Sequence, residues 1–340
     1  MTDHQQEIET FELGPLTCPR IFTGLWQLSS VAWGSAPAAK VRRAIAGHAE
    51  NGYTAFADHY GSAEIMFGRA VKDVVSPIKI VGATKWCVFR PTEVTRPIVE
   101  EAVRERMDRM QSDCVDLLQF HWNDYSDHGY IVALQLLQDL QREGLITALG
   151  LCNFDAIRMD EICTTLGPDS IVSNQVQFSL IDTRPLHGMT DVCQKHNAKL
   201  LTYGTLCGGF LSDSWLGEPE PQLYDGSLTP SQRKYLDMIL KAWGDWSLFQ
   251  ELLSVLRSIG DRHGGVSIAN VATRWVLDQP GVGAVIIGVR MGIAEHKDDN
   301  KKTFGFALTA QDNAAIQAVL ENSNGDRLIA TIGDCGAEYR

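Results

Sequence analysis

The 340-residue chain is 44% hydrophobic and 21% charged, the balance of a globular protein with an ample core rather than a disordered or fibrous one. Its formal net charge of −12 argues against a nucleic-acid or anionic-membrane surface, while leaving room for a local basic pocket that takes phosphate. The opening MTDHQQEIETFELG lacks the basic start and apolar core of a signal peptide, no run is apolar enough to span a bilayer, and the eight cysteines contain no CxxC pair, so a cytoplasmic protein with reduced thiols is expected.

Taken in order, a short alternation from Phe11 to Leu16 predicts a hairpin arm ahead of the main fold. RIFTGLWQLSS follows as a first strand ending at Trp26. Ser35 and Pro37 open a helix through Ala49, with Val41, Ala44, Ile45 and Ala49 at helical spacing and Gly52 past its end. The stretch GYTAFADHYGSAE reads as a second strand over 53–57, a sharp turn, and a helix from about Ala63. Pro77 precedes IKIVGATK, a near-continuous apolar strand of the kind buried in parallel sheets.

The alternation then continues. A helix from Thr92 to Met110 leads to the strand CVDLLQFHW. Helix 130–143 precedes LITALGLCNF, helix 155–166 precedes IVSNQVQF, and helix 188–196 precedes AKLLTYG. Segment 205–230 reads as a long loop that covers a ligand. Helical stretches at 231–242, 246–262 and 267–278 lead to an eighth strand, VGAVIIGV, and helices at 293–302 and 310–321 close the fold. Eight strands, each followed by helix, make an α/β chain with the count of a (β/α)8 TIM barrel. A doubly wound sheet is the alternative, disfavoured because no G-x-G-x-x-G follows an early strand and no P-loop occurs. Without repeats or a linker, one domain over 1–340 is expected.

Three polar residues stand at consecutive strand ends: Tyr60, Lys85 and His121. In a barrel these ends converge on one mouth. Hydride arriving at a carbonyl carbon leaves charge on oxygen, so an acid and hydrogen-bond donors must wait there. A phenol with a pKa of about 10 is a weak acid, and a nearby ammonium favours its ionised form. Tyr60 would give the proton, Lys85 would tune it, and His121 would hold the oxygen. Each residue alone would be ordinary packing or surface charge; the set is what points to a site. Trp26, Trp86 and Trp122, which follow strand ends, and Trp215 in the long loop are expected to wall a pocket for a ring or an apolar chain. No metal-ligand spacing and no G-x-S-x-G is present, so no metal is expected.

ADHYGSAE resembles the second half of the pattern F-D-x-A-D-x-Y-G-x-A/S-E that ends the second barrel strand of aldo-keto reductases, and GATKW and LLQFHW match at Lys85 and His121. The resemblance implies NADPH-dependent reduction of an aldehyde or ketone, or the reverse oxidation, with Tyr60 as general acid. By the same resemblance Cys152 and Asn153 in GLCNF and Gln175 in SNQVQF would hold the nicotinamide carboxamide, the ring of Tyr203 in LLTYGTL would stack on the nicotinamide, and Gly204 and Leu206 after it would also contact the cofactor. IIGVRMGIAEHKDDN resembles the family's adenosine-phosphate signature: Arg290 would clamp a 2′-phosphate, Asn300 and His296 would lie near the adenine, and the amides of Gly288 and Val289 with the following helix start would add an anion site. NADP is then favoured over NAD.

The first half of the pattern departs from the family. Counting back from Tyr60, the family's aspartate falls on Ala55. Three outcomes follow: Asp58 substitutes for it; Tyr60 works with a differently paired Lys85; or the barrel serves as a redox-silent NADP(H)-binding regulatory subunit or a non-redox cyclase or dehydratase. The partner in the main reading is a small-molecule carbonyl compound, with the oligomeric state open.

Overall fold

The computed structural model describes residues 7–59, 61–74, 78–224 and 226–340, the side chains of residues 58 and 59 excepted. A hairpin of β1 (Thr10–Leu13) and β2 (Leu16–Pro19) turns at Gly14, whose φ of +58° favours glycine. Eight parallel strands then close into a barrel: β3 (Ile21–Gly24), β4 (Ala55–His59), β5 (Val81–Val88), β6 (Val115–Trp122), β7 (Ile146–Cys152), β8 (Ser173–Gln177), β9 (Lys199–Tyr203) and β10 (Val282–Gly288), with β10 pairing β3. This is the TIM barrel expected from the alternation.

Strand period two sorts the side chains. Ala55, Ala57, Ala83, Leu117, Ala148, Leu201 and Ala284 fill the barrel interior together with Leu13 and Leu16 of the hairpin, which plugs the amino-terminal end. The opposite faces carry larger residues such as Leu118, Phe120 and Leu149, buried against the helices. A cluster of this size is stabilised mainly by removing apolar area from water, about 25 cal/mol per Å².

The helices between the strands are α1 (Ala38–Glu50), α2 (Ser62–Val71), α3 (Arg96–Met110), α4 (Gly129–Arg142), α5 (Ala156–Leu166) and α6 (Met189–Lys195). Helix α3 starts four residues later than Thr92, because Pro97 is tolerated in the first turn of a helix and not in its interior. After β9 come α7 (Pro230–Met238), α8 (Trp246–Arg262) and α9 (Ile268–Leu277); after β10 come α10 (Lys297–Lys301), α11 (Ala310–Leu320) and α12 (Leu328–Ile332). The helix expected over 293–302 shrinks to α10: residues 290–294 form a turn in which the amides of Ile293 and Ala294 donate to the Arg290 carbonyl, and Gly292 and His296 take positive φ. No helix among the described residues is long and apolar enough to cross a membrane.

Part of the long 205–230 segment is pinned to α8. The Gly217 amide donates to Gln250 Oε1 at 2.7 Å, Gln250 Nε2 donates to the Trp215 carbonyl at 2.9 Å, and Trp246 Nε1 donates to the Glu218 carbonyl at 2.9 Å. A different segment lies over the barrel mouth. Residues 333–340, which carry no periodicity, fold back from α12 onto the carboxyl ends of β6, β7 and β9.

Candidate functional site

Alternation along β5 and β6 decides which strand-end residues meet. Ala83 and Leu117 face the interior, so Lys85, Gln119 and His121 face inward too, and Lys85 pairs in register with Gln119. Lys85 and His121 are both buried, near enough for the Lys85 charge to act on the imidazole. Trp86 and Trp122 are sent the other way. Their rings pack tilted against Phe120 with centroids 5.3 and 5.9 Å apart, and Trp122 continues to Tyr130 of α4 and donates from Nε1 to the Asp124 carbonyl. They belong to the barrel-to-helix packing, contrary to the expected substrate wall, because neighbours in a strand cannot share a face. Trp26 is exposed just beyond β3, its ring 4.5 Å from that of Trp33. Phe89, unanticipated by sequence reasoning, stands 58% exposed just past β5 with its ring edge-on to His121 at 5.3 Å.

His121 is the chemical centre of the described mouth. Its Nε2 is buried with no hydrogen-bond partner among the described residues, a costly arrangement unless another group completes it. Burial, with the charges of Lys85 and Arg340, pushes its pKa down to about 4, so the imidazole is neutral at neutral pH. One level deeper, Gln175 Nε2 donates to Gln119 Oε1 at 3.0 Å and Cys152 Sγ to Gln175 Oε1 at 3.7 Å. The Gln175 amide is thus engaged inside the barrel rather than presented at the mouth. Gln119 was missed by sequence reasoning, although its place two residues before His121 on the same strand puts it on the same face.

Asn153 sits at φ +61°, and its Oδ1 accepts from the Tyr203 hydroxyl at 2.9 Å, so these two expected ring contacts lie side by side. Burial and the neighbouring Tyr339 and Glu338 push the Tyr203 phenol above its ordinary range. Gly204 takes φ +74°, and a Cβ there would lie 2.2 Å from the Tyr235 hydroxyl. Leu206 accepts at its carbonyl from Gly209.

Across the mouth, Arg290 is exposed and forms no ion pair among the described residues. His296 is exposed at the start of α10 and Asn300 is buried within it. The anion site expected from backbone does not form as anticipated. The Val289 amide already donates to the Gly24 carbonyl at 3.0 Å, and the first turn of the five-residue α10 carries Asp298 and Asp299, which repel an anion. Gly288 lies under Gln27, whose amide would be 2.2 Å from a Cβ at that position.

Ala55 also changes meaning. It pairs with Val81, four residues below Lys85 in register, which is about 13 Å along the strand. A carboxylate at 55 would sit in the apolar layer among Ala57, Ala83 and Leu117, out of reach of the ammonium. A bulge between Phe56 and His59 brings His59 opposite Thr84. Tyr60 and the side chain of Asp58 lie outside the described residues. In α2, Glu64 is buried, accepts from Thr84 Oγ1 and is 3.3 Å from Arg109 NH1.

A barrel with this mouth has known relatives. The model of the Aldo/keto reductase family matches residues 20–321. The chain belongs to that family. It is thereby an oxidoreductase of the carbonyl-reducing kind. It is 26% identical over 321 residues to the aldo-keto reductase YhdN of Bacillus subtilis, covering 90% of this chain and 91% of the relative, and 24% identical over 333 residues to the chloroplastic pyridoxal reductase of Arabidopsis thaliana, covering 92% and 86%. Among solved aldo/keto reductase folds, the glycerol dehydrogenase of Gluconobacter oxydans superposes with a TM-score of 0.73 over 97% of each chain at 21% identity. An aldo/keto reductase from Klebsiella pneumoniae in complex with NADP and acetate superposes with a TM-score of 0.67 at 19% identity, over 92% of this chain and 95% of that one.

Proposed function

We propose that the chain reduces an aldehyde or ketone to the alcohol with NADPH, using Tyr60 as general acid. The buried, unpartnered Nε2 of His121 beside the inward Lys85 carries the reading. A neutral imidazole in that place donates a hydrogen bond to a carbonyl oxygen, which strengthens as negative charge develops there. Tyr60, directly after β4, transfers its proton to the same oxygen, and the Lys85 ammonium lowers the cost of leaving a phenolate. Asp58 precedes the register partner of Thr84 by one residue, so it is the β4 carboxylate we assign to hold Lys85 charged, in the role the family gives to the position counted onto Ala55.

Bound NADPH would supply the hydride. Asn153 and Tyr203 are the residues that would face its ring, and the exposed guanidinium of Arg290, without an ion pair among the described residues and with His296 and Asn300 nearby in sequence, suits a 2′-phosphate. Gln175 and Cys152 form the floor beneath that ring rather than its clamp. Exposed Phe89 beside His121 favours a substrate with an apolar or aromatic substituent next to the carbonyl.

The test is loss of NADPH absorbance with a panel of aromatic and aliphatic aldehydes, beside a fluorescence titration of cofactor binding. Consumption that vanishes in Tyr60→Phe while binding persists is the expected result. Unchanged turnover in that variant removes Tyr60 from the mechanism, and binding without any consumption would replace catalysis by a regulatory nucleotide-binding role.

A further inference from the structure

Residues 333–340 reach the residues assigned above to the nicotinamide and the carbonyl. Tyr339 lies edge-on to His121, with ring centroids 5.9 Å apart at 88°. Its hydroxyl is 3.3 Å from that of Tyr203 and accepts from Lys234 Nζ at 3.0 Å. Arg340 donates to the Asn153 carbonyl at 3.4 Å and lies 4.6 Å from the centre of the Tyr125 ring. One short segment therefore contacts His121, Asn153 and Tyr203 at once.

The docking is built, not incidental. Gly336 lies so close to Asn153 that a Cβ would sit 2.1 Å from the Asn153 carbonyl oxygen, and its φ is +76°. Cys335 is 2% exposed within the main core. The anchor is Arg184, a guanidinium 1% exposed. It pairs with buried Asp182 at 2.8 Å, and its NH1 reaches the Gly333 and Asp334 carbonyls and the Glu338 carboxylate at 3.1 to 3.2 Å. Holding a buried arginine this way costs desolvation that only a full set of acceptors offsets, and the segment supplies three of those acceptors. These residues also lie beyond the stretch matched by the family model, which ends at residue 321.

We propose that residues 333–340 are a self-docking strap whose Tyr339 closes the mouth against the nicotinamide ring and the carbonyl, so that NADPH binds only as the strap lets go. The competition presupposes the nicotinamide site proposed above. Its physical basis is mutual exclusion: the Tyr203 hydroxyl and the Asn153 surface that would face the ring are already in contact with Tyr339, Arg340 and Gly336. A chain whose mouth is closed most of the time has its apparent affinity reduced by the open fraction, so a strap docked in nine of ten molecules weakens NADPH about tenfold.

The experiment titrates NADPH by fluorescence into the intact chain, into Tyr339→Ala, into Gly336→Ala and into a chain lacking 337–340, with thermal melts to establish folding. Hydrogen exchange of the 333–340 amides is followed with and without NADPH. Variants that melt like the intact chain and bind NADPH about fivefold tighter or more, with exchange in 333–340 rising when NADPH binds to the intact chain, are the expected result. Equal or weaker binding in such variants, or exchange that slows with NADPH, overturns the competition and makes the strap a wall that closes over a bound ligand. If a variant melts far below the intact chain, exchange in the intact chain alone decides. Flat titrations in all four chains refute the nucleotide site itself, and the competition with it.

Discussion

Replacing His121 with leucine separates a functional imidazole from a structural one. A buried nitrogen without a partner costs about 1–3 kcal/mol of desolvation, which an apolar side chain of similar size does not incur. His121→Leu should therefore be as stable as the parent at pH 7, or more stable by about 1 kcal/mol. The difference should widen in acid. The folded pKa is about 4, against an unfolded value near 6.5, so between those values the unfolded chain binds the extra proton. The parent then loses stability as pH falls from about 6.5, by about 2 kcal/mol at pH 5, and the leucine variant escapes that loss. Activity should move in the opposite direction, with kcat/KM falling about a hundredfold or more because one oxyanion donor is gone. Urea midpoints at pH 7 and 5, with aldehyde-dependent NADPH oxidation at pH 7, read all three quantities. A variant that is less stable at pH 7, shows the parent's pH dependence and keeps its activity would refute the reasoning and make His121 a packing residue.

Arg290→Ala should weaken NADPH far more than NADH, since only the former carries the 2′-phosphate that the guanidinium would pair with; equal losses in parallel titrations would contradict the clamp. Arg184→Met should cost about 3–5 kcal/mol in urea unfolding, because it leaves the Asp182 carboxylate buried without its cation, and an unchanged midpoint would show the pair to be dispensable.

Several features of the site were legible along the chain because they depend on local spacing. Lys85 and His121 could be placed at strand ends, and their inward direction follows from period two. The same rule excludes Trp86 and Trp122 from the pocket, since each is the immediate neighbour of an inward residue. Pro97 likewise marked the true start of α3. Gln175 is different. Its amide is engaged by Gln119 and Cys152, which lie on other strands, and no local pattern says which of two buried amides meets the other.

Alternating apolar strands and amphipathic helices, read from the amino acids alone, were enough for an eight-stranded barrel with a mouth of polar strand ends, because periodicity is a property of neighbours. What the tertiary structure decided was everything that depends on register and on distant segments meeting. The pairing of Ala55 with Val81 sets Ala55 well below Lys85, and the register shift between Phe56 and His59 leaves Asp58 as the β4 carboxylate nearest the level of Lys85. The return of residues 333–340 to the mouth rests on Arg184, some 150 positions earlier, and on a glycine that lets the backbone touch Asn153. Such contacts follow from barrel closure and buried charge, which bring together residues whose separation along the chain carries no signal.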